Sequence, residues 1–234
     1  TLMNRMTYPR KFGLIGFLFT LPLGLVTYFW VSELNDRIVF SAKENLGNEY
    51  LRPVQQFASD LRDHRGLIWA RANQQGTTEE LRQVEERLQR DIQEVDTVDR
   101  RLGEMLRTTQ LWTAIKGKWR TLESSEETAS PVEQANRHTA LIADLLELMS
   151  QVGDQSNLIL DPDLDSYYLM ELVVNRLPLL TEQIGQVRGF SSGLVGRETI
   201  SEFDRFRLRY LASAIESQRR TLNHHFDVSL RETR

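Results

Sequence analysis

The residues of this chain with which chemistry could be done are four histidines, an aspartate-rich run, one G-x-S-x-G match and a few arginines among apolar neighbours. Asp161-Pro162-Asp163-Leu164-Asp165 imitates the opening of a calcium loop, but such a loop needs glycine at position 6 and a bidentate glutamate at position 12. Ser166 and Leu172 stand there instead. The run reads better as a helix start, with Asp161 as N-cap, Pro162 at N1 and carboxylates at the positive end of the helix dipole. Gly189-Phe190-Ser191-Ser192-Gly193 fits the nucleophile elbow by letter, yet that motif needs a strand running into it and an acid and histidine downstream. Both flanks here are helical in pattern. The same residues belong to a set, Gly185, Gly189 and Gly193, recurring every four positions: one small helix face that another helix can approach closely. Each glycine costs a helix up to about 1 kcal/mol, so close packing must offset the cost or the segment is a soft helix end.

His64, His138, His224 and His225 form no HExxH zinc pattern. His64 matters most, because it falls on an apolar seam between Leu61 and Ile68. Arg188 falls on the seam of Tyr167 and Val174, and Gln218 and His225 on that of Leu211. A charge or imidazole buried without a partner costs several kcal/mol, so each must find a partner or water. One reading is an internal polar layer that fixes helix register. The other is a small-molecule pocket between helices, with Arg65 or Arg188 binding an anionic ligand. No convergent nucleophile and no metal set appears; the chain is read as a non-enzyme without cofactor or catalytic residues.

The elements that must position these residues begin with Phe12 to Val31, twenty consecutive residues without a charge. As a helix they span about 30 Å, the hydrocarbon thickness of a bilayer. Arg5, Arg10 and Lys11 precede the run, while Glu33 and Asp36 follow it. By the positive-inside rule residues 1–11 stay cytoplasmic, 12–32 cross the membrane, and 33–234 lie outside. Tyr28, Phe29 and Trp30 suit the outer interface, and Pro22 is tolerable mid-span. A cleaved signal would have a core of about 7–15 residues and a small-x-small site; Trp30-Val31-Ser32-Glu33-Leu34 offers none. With the three flanking cations removed, the remainder carries 26 basic and 33 acidic residues, a charge of −7. So acidic a face excludes nucleic acid as a partner. There are no cysteines, which removes disulfides, thiolate metal sites and cysteine nucleophiles, and fits an oxidising periplasm.

Beyond the span the pattern is helical throughout, and no segment alternates with period two. Tyr50, Val54, Phe57, Leu61, His64 and Ile68 make the seam of a first helix that continues the span and ends near Gly76. Thr77 and Glu80 supply a capping box for the second. That helix carries Leu81, Leu88, Val95 and Leu102 on one seam, and Val84, Asp91, Val98 and Met105 on the other. A weaker segment holds Leu111, Trp112, Ile115, Trp119 and Leu122, and Ser124 to Pro131 reads as a loop. A third helix over 132–159 has two adjacent seams, Ile142, Leu146, Met149 and Leu141, Leu145, Leu148, Val152, a face wide enough for two neighbours. A fourth over 162–194 carries Tyr167, Met170, Val174, Leu177, Ile184 and Val187, with a kink at Pro178. The fifth is capped by Ser201 and carries Leu208, Leu211, Ile215 and Leu222. The fold class is therefore all-α: a transmembrane helix running into an antiparallel, up-and-down helical bundle. Five long passes send the last helix away from the membrane, and the start at Thr1 and stop at Arg234 read as a segment of something longer.

The basic-flanked span, then Lys43-Glu44-Asn45-Leu46-Gly47-Asn48-Glu49-Tyr50-Leu51-Arg52-Pro53, then His64-Arg65-Gly66, resembles the amino-terminal sensor region of bacterial transmembrane receptors. Ser156 to Met170, SNLILDPDLDSYYLM, adds to the likeness. Methyl-accepting chemotaxis proteins, sensor histidine kinases and membrane-bound diguanylate cyclases share such regions. The resemblance implies a periplasmic helical bundle held in the inner membrane, of the four-helix or the six-helix two-module kind, dimeric and binding a small molecule such as an organic anion. His64, Arg65, Asn157, Tyr167, Tyr168 and Arg188 are the expected ligand residues. A displaced first helix would carry the signal across the membrane. A membrane-anchored scaffold that binds partner helices and no ligand is the alternative from another class.

Overall fold

The computed structural model describes residues 7–72, 78–124, 129–160, 163–194 and 199–233. It is all-α, with no strand among the described residues. The helices are α1 (Tyr8–Ala72), α2 (Thr78–Leu102), α3 (Thr109–Ser124), α4 (Pro131–Gln155), α5 (Leu164–Glu171), α6 (Leu177–Ser192) and α7 (Glu202–Glu232), with a π-helical turn, Leu172–Arg176, between α5 and α6. The chain divides into two compact units, Thr1–Lys43 and Glu44–Arg234.

In the first unit the apolar stretch of α1 has a mean hydropathy of 1.9 and none of it is buried against protein. Its length and composition are enough to cross a membrane.

The second unit is organised by the apolar seams. All six seam positions of α1, Tyr50 to Ile68, are buried. Four of them, Tyr50, Val54, Phe57 and Leu61, pack with Leu88 and Val95 of α2, Trp112 and Trp119 of α3, and Ile142 and Leu145 of α4 into one continuous core. Numbers that rise along one helix meet numbers that fall along the next. Arg101 and Arg87 of α2 pair with Glu49 and Asp60 of α1. Asp96 of α2 accepts from Trp112 Nε1 at 2.7 Å and Lys116 Nζ at 2.5 Å, while Gln89 reaches Glu123 at the far end of α3. Lys118 of α3 meets Asp144 of α4 at 2.7 Å. His138 of α4 meets His64, and the turn after α4 reaches Gly47, where any Cβ would collide with Ser156 and Leu158. Gly47 thus permits a close backbone approach that no larger residue could make.

Three local outcomes depart from the sequence reading. The segment 111–122 is a helix of its own, α3, reached through a reversal at 103–107 in which Arg107 takes a φ of 55°. Met105 consequently leaves the seam and is exposed, while Leu106 is fully buried in its place. Helix α3 also adds a sixth pass. Tyr168 lies 4.8 Å from His225, ring to ring, and Phe190 sits 4.6 Å beneath Arg207. Helix α7 therefore ends at the end of the unit that Gly47 occupies, not at the opposite one.

The third departure is the expected fourth helix, which is broken at a π turn rather than bent at Pro178. The Leu177 N–H bonds to the Leu172 carbonyl, five residues back. Proline has no N–H to give and its ring crowds the preceding turn, so a one-residue slip just before Pro178 relieves both. The extra residue rotates everything after it by about 100°. Leu177 and Ile184, expected inside, are exposed, and Glu182 turns inward. Ser201 caps α7 as read and closes a capping box with Asp204, while Ser130, inside the stretch read as a loop, caps α4 by accepting from the Glu133 N–H. The proposed caps at Gly76, Thr77, Asp161 and Pro162 lie outside the described residues.

Candidate functional site

Helix α1 places consecutive residues in two different environments. His64 faces α3 and α4. Its Nδ1 lies 2.7 Å from His138 Nε2, the two rings stack at 5.0 Å, and Trp119 stands edge-on at 5.3 Å. His138 Nδ1 is 2.8 Å from the Gln134 carbonyl. A carbonyl only accepts, so His138 carries its proton on Nδ1 and presents a lone pair at Nε2. His64 must then donate from Nδ1, and its own Nε2 is a lone pair with no hydrogen-bond partner among the described residues. Glu85 Oε1 is 3.9 Å away. Burial, then the neighbouring His138, pushes the His64 pKa down to about 3; burial pushes that of His138 down to about 4. Two neutral, stacked imidazoles buried between α1 and α4 fix the register of the two helices.

One residue on, Arg65 faces α4 and α6. Its guanidinium makes a two-pronged pair with Glu182, Nη1 to Oε1 at 2.6 Å and Nη2 to Oε2 at 3.0 Å, and donates to the Thr139 hydroxyl at 2.9 Å. Both partners are about 95 % buried. Beside this pair a cavity of about 220 Å³ opens between α1, α4, α6 and α7. Trp69, Phe190 and Phe203 supply its aromatic wall, Gly185 and Gly189 its floor, and Arg207 a cation at its edge. The glycine face does face another helix. A Cβ at Gly185 would lie 2.9 Å from Arg65 Nη2, and one at Gly189 would lie 3.4 Å from Trp69. Close packing against α1 is what offsets the helix cost of these glycines.

Of the expected ligand residues only Arg65 lines this cavity, and Glu182 already compensates its charge. His64 is sealed in the core. Arg188, expected on an inner seam, is exposed because the π turn rotates it outward. It lines a separate open cleft of about 410 Å³ with Gly66 and Arg87. Asn157, held at a φ of 66°, sits in the turn after α4. Tyr167 and Tyr168 form an aromatic cluster with His224 and His225. Seventeen residues of helix, about 25 Å, separate Tyr168 from Gly185, so the six residues do not converge. Sequence reasoning missed Glu182, Phe190, Phe203 and Arg207. The glycine spacing pointed to the right face, but the π turn hid which residues flank it.

A second buried polar cluster joins α1 to α2. Asp60 accepts from Arg87 Nε at 2.9 Å and from Gln56 at 3.2 Å. Asp91, 6 % exposed, has an oxygen without a partner among the described residues. Burial first, then the Asp60 carboxylate, pushes its pKa up to about 7. No cluster of three or more potential metal ligands occurs among the described residues. No family model, no curated protein and no solved structure matches the chain.

Proposed function

We propose that the chain is the extracytoplasmic ligand-sensing portion of a bacterial transmembrane signalling receptor of the methyl-accepting chemotaxis kind. In this reading residues 12–32 span the inner membrane and the following residues form a periplasmic, antiparallel, up-and-down bundle. Helices α1 and α4 are shared by two four-helix groups, one completed by α2 and α3, the other by the α5–α6 pass and α7. The observation that carries the reading is the cavity beside Arg65, because its wall includes α1, the helix on which the apolar span also lies. A ligand there would favour whichever packing of α1 against α6 it binds more tightly, and only that difference can drive a signal.

Two experiments test it. A thermal-shift screen of the full chain with organic acids, amino acids and purines should find a compound that raises Tm, since a ligand of the folded state stabilises it. Two or three glycines inserted near Asp36 should abolish the response to that compound in cells while leaving its binding intact. Signalling that survives the insertion would sink the rigid-helix route.

A second reading is favoured by one observation. Phe203, Phe206 and Tyr210 recur on α7 at spacings of three and four and are 65–69 % exposed. Such a stripe suits a helical partner, as a homodimer or a ligand-free scaffold would use. Sensor regions of histidine kinases and diguanylate cyclases would share both features.

A further inference from the structure

Two cations and two carboxylates surround the α1–α4–α6–α7 cavity, Arg65 and Arg207 against Glu182 and Asp204, but they are not all paired with one another. Arg65 is neutralised by Glu182, with Thr139 taking a further N–H. Asp204 is engaged in the α7 capping box, where its carboxylate accepts from the Ser201 N–H and hydroxyl. Arg207 is different. No carboxylate lies within ion-pair distance of it among the described residues, and its guanidinium rests instead on the Phe190 ring, 4.6 Å from the centroid. A guanidinium stacked on an aromatic face keeps its N–H edge clear for a planar, two-oxygen acceptor.

The walls select shape as well as charge. Trp69 lies against Gly189 and Gly193, and Phe190 and Phe203 complete an aromatic lining over a glycine floor. A slot walled by aromatic side chains favours a flat ring, which stacks or meets edges at 4.5–7 Å and gains about 0.5–1.5 kcal/mol beyond burial of its area. At about 220 Å³ the cavity is smaller than the roughly 300–1,000 Å³ of drug-sized sites. It takes one ring with a short substituent, not a nucleotide or peptide. Asn136 and Gln186 at its margin leave a place for a ring hydroxyl.

We propose, building on the sensor reading above, that this cavity is a site for a small aromatic monocarboxylate whose carboxylate pairs with Arg207 and whose ring lies between Trp69 and Phe190. The probe is benzoate, titrated calorimetrically into the full chain in nanodiscs. It should bind one site per chain. Cyclohexanecarboxylate, with the same charge and no π face, and benzamide, with the ring and no charge, should each bind at least tenfold more weakly. Arg207→Gln and Phe203→Ala alter partly exposed or exposed side chains, so folding should survive both; each should weaken benzoate at least tenfold. Gly189→Leu, whose side chain would press on Trp69 and displace it from the wall, should abolish binding.

Equal binding of benzoate and cyclohexanecarboxylate, or unchanged benzoate affinity in Arg207→Gln, overturns the proposal. So does the absence of any benzoate binding. If succinate binds instead and Gly189→Leu blocks it, the aromatic-acid assignment falls while the sensor reading stands. If benzoate binds as expected but no cellular response follows, the site is right and the sensor reading fails.

Discussion

His64 and Arg65 are consecutive residues on one helix, yet they look into two unlike halves of the unit. The α1–α2–α3–α4 half is closed: Phe57, Trp112 and Trp119 meet edge-to-face at 5.7 and 6.4 Å, and the polar layer at its centre is two neutral imidazoles. The half completed by α5–α6 and α7 is open: it holds an ionised pair, a slot floored by glycine, a π turn and several exposed apolar side chains. The difference shows where each kind of work can be done. Close packing around a neutral imidazole pair fixes one arrangement. A cavity bordered by a charge pair and a slipped helix leaves the neighbouring helices alternatives within reach, which ligand-driven motion requires.

The sharpest way to break this contrast is to remove one central side chain from each half. Glu182→Ala leaves the Arg65 charge buried without its carboxylate and should cost about 3–5 kcal/mol, read as a fall in urea midpoint at neutral pH. Arg65→Met with Glu182→Leu should recover most of that loss, because two apolar groups of similar size leave no charge behind. In the closed half, Trp119→Ala should cost a similar 3–5 kcal/mol, through a cavity instead of a charge. A loss below about 1 kcal/mol for Glu182→Ala would mean that water from the cavity already solvates Arg65.

The pH dependence sharpens the contrast next. His64 and His138 have folded pKa values of about 3 and 4, below the ordinary 6.5, so the unfolded chain binds more protons between those limits. Stability conferred by the neutral pair is therefore complete above about pH 6.5 and is lost as the pH falls towards 3. Asp91 behaves oppositely. Its folded pKa is raised to about 7, so the stability of its protonated form is present below about pH 4 and lost as the pH rises through 7. The charged groups around it are Asp60, Glu94 and Arg87, and only Arg87 opposes the shift. In the wild type the two trends offset one another between about pH 4 and 6.5. Asp91→Asn should remove the second and steepen the rise of stability with pH, whereas His64→Gln should flatten it. Equal slopes in the three proteins, measured by urea unfolding from pH 4 to 8, would mean that neither cluster is linked to folding.

Much of the closed half is legible in the sequence. Period-3.5 seams put Tyr50, Val54, Phe57, Leu61, His64 and Ile68 inside without error, because α1 is unbroken there and every seam residue but His64 is apolar. The polar-layer reading of His64 follows from the same pattern, although its partner, His138, lies 74 residues away and carries no local signal. The open half is legible only in fragments. Its glycine spacing and the Ser201 cap are visible, but a π turn has no sequence signature beyond the nearby proline, and one inserted residue reverses the inside and outside assignments that follow. Arg188 and Ile184 are misplaced for that reason alone. Glu182, Phe190 and Arg207 come together only once the rotated α6 is set against α1 and α7.

The smallest expected effect is the one most specific to the contrast. Phe57 and Phe203 are the same residue type in the two halves, 0 % and 69 % exposed. Phe57→Ala removes a ring packed against two tryptophans and should cost about 3–5 kcal/mol. Phe203→Ala removes a ring that water already touches over most of its surface, so its effect on the urea midpoint should stay within about 0.5 kcal/mol. Its side chain contributes to the mouth of the slot more than to the core. Near-neutral stability combined with weakened benzoate binding would place Phe203 among residues kept for recognition. A stability loss above about 1 kcal/mol would instead mean that Phe203 is covered in solution, which points to the α7 stripe of Phe203, Phe206 and Tyr210 as a contact between copies of the chain. Sedimentation of Phe206→Ser and Tyr210→Ser beside the wild type separates these outcomes, since only a contact between copies would dissociate.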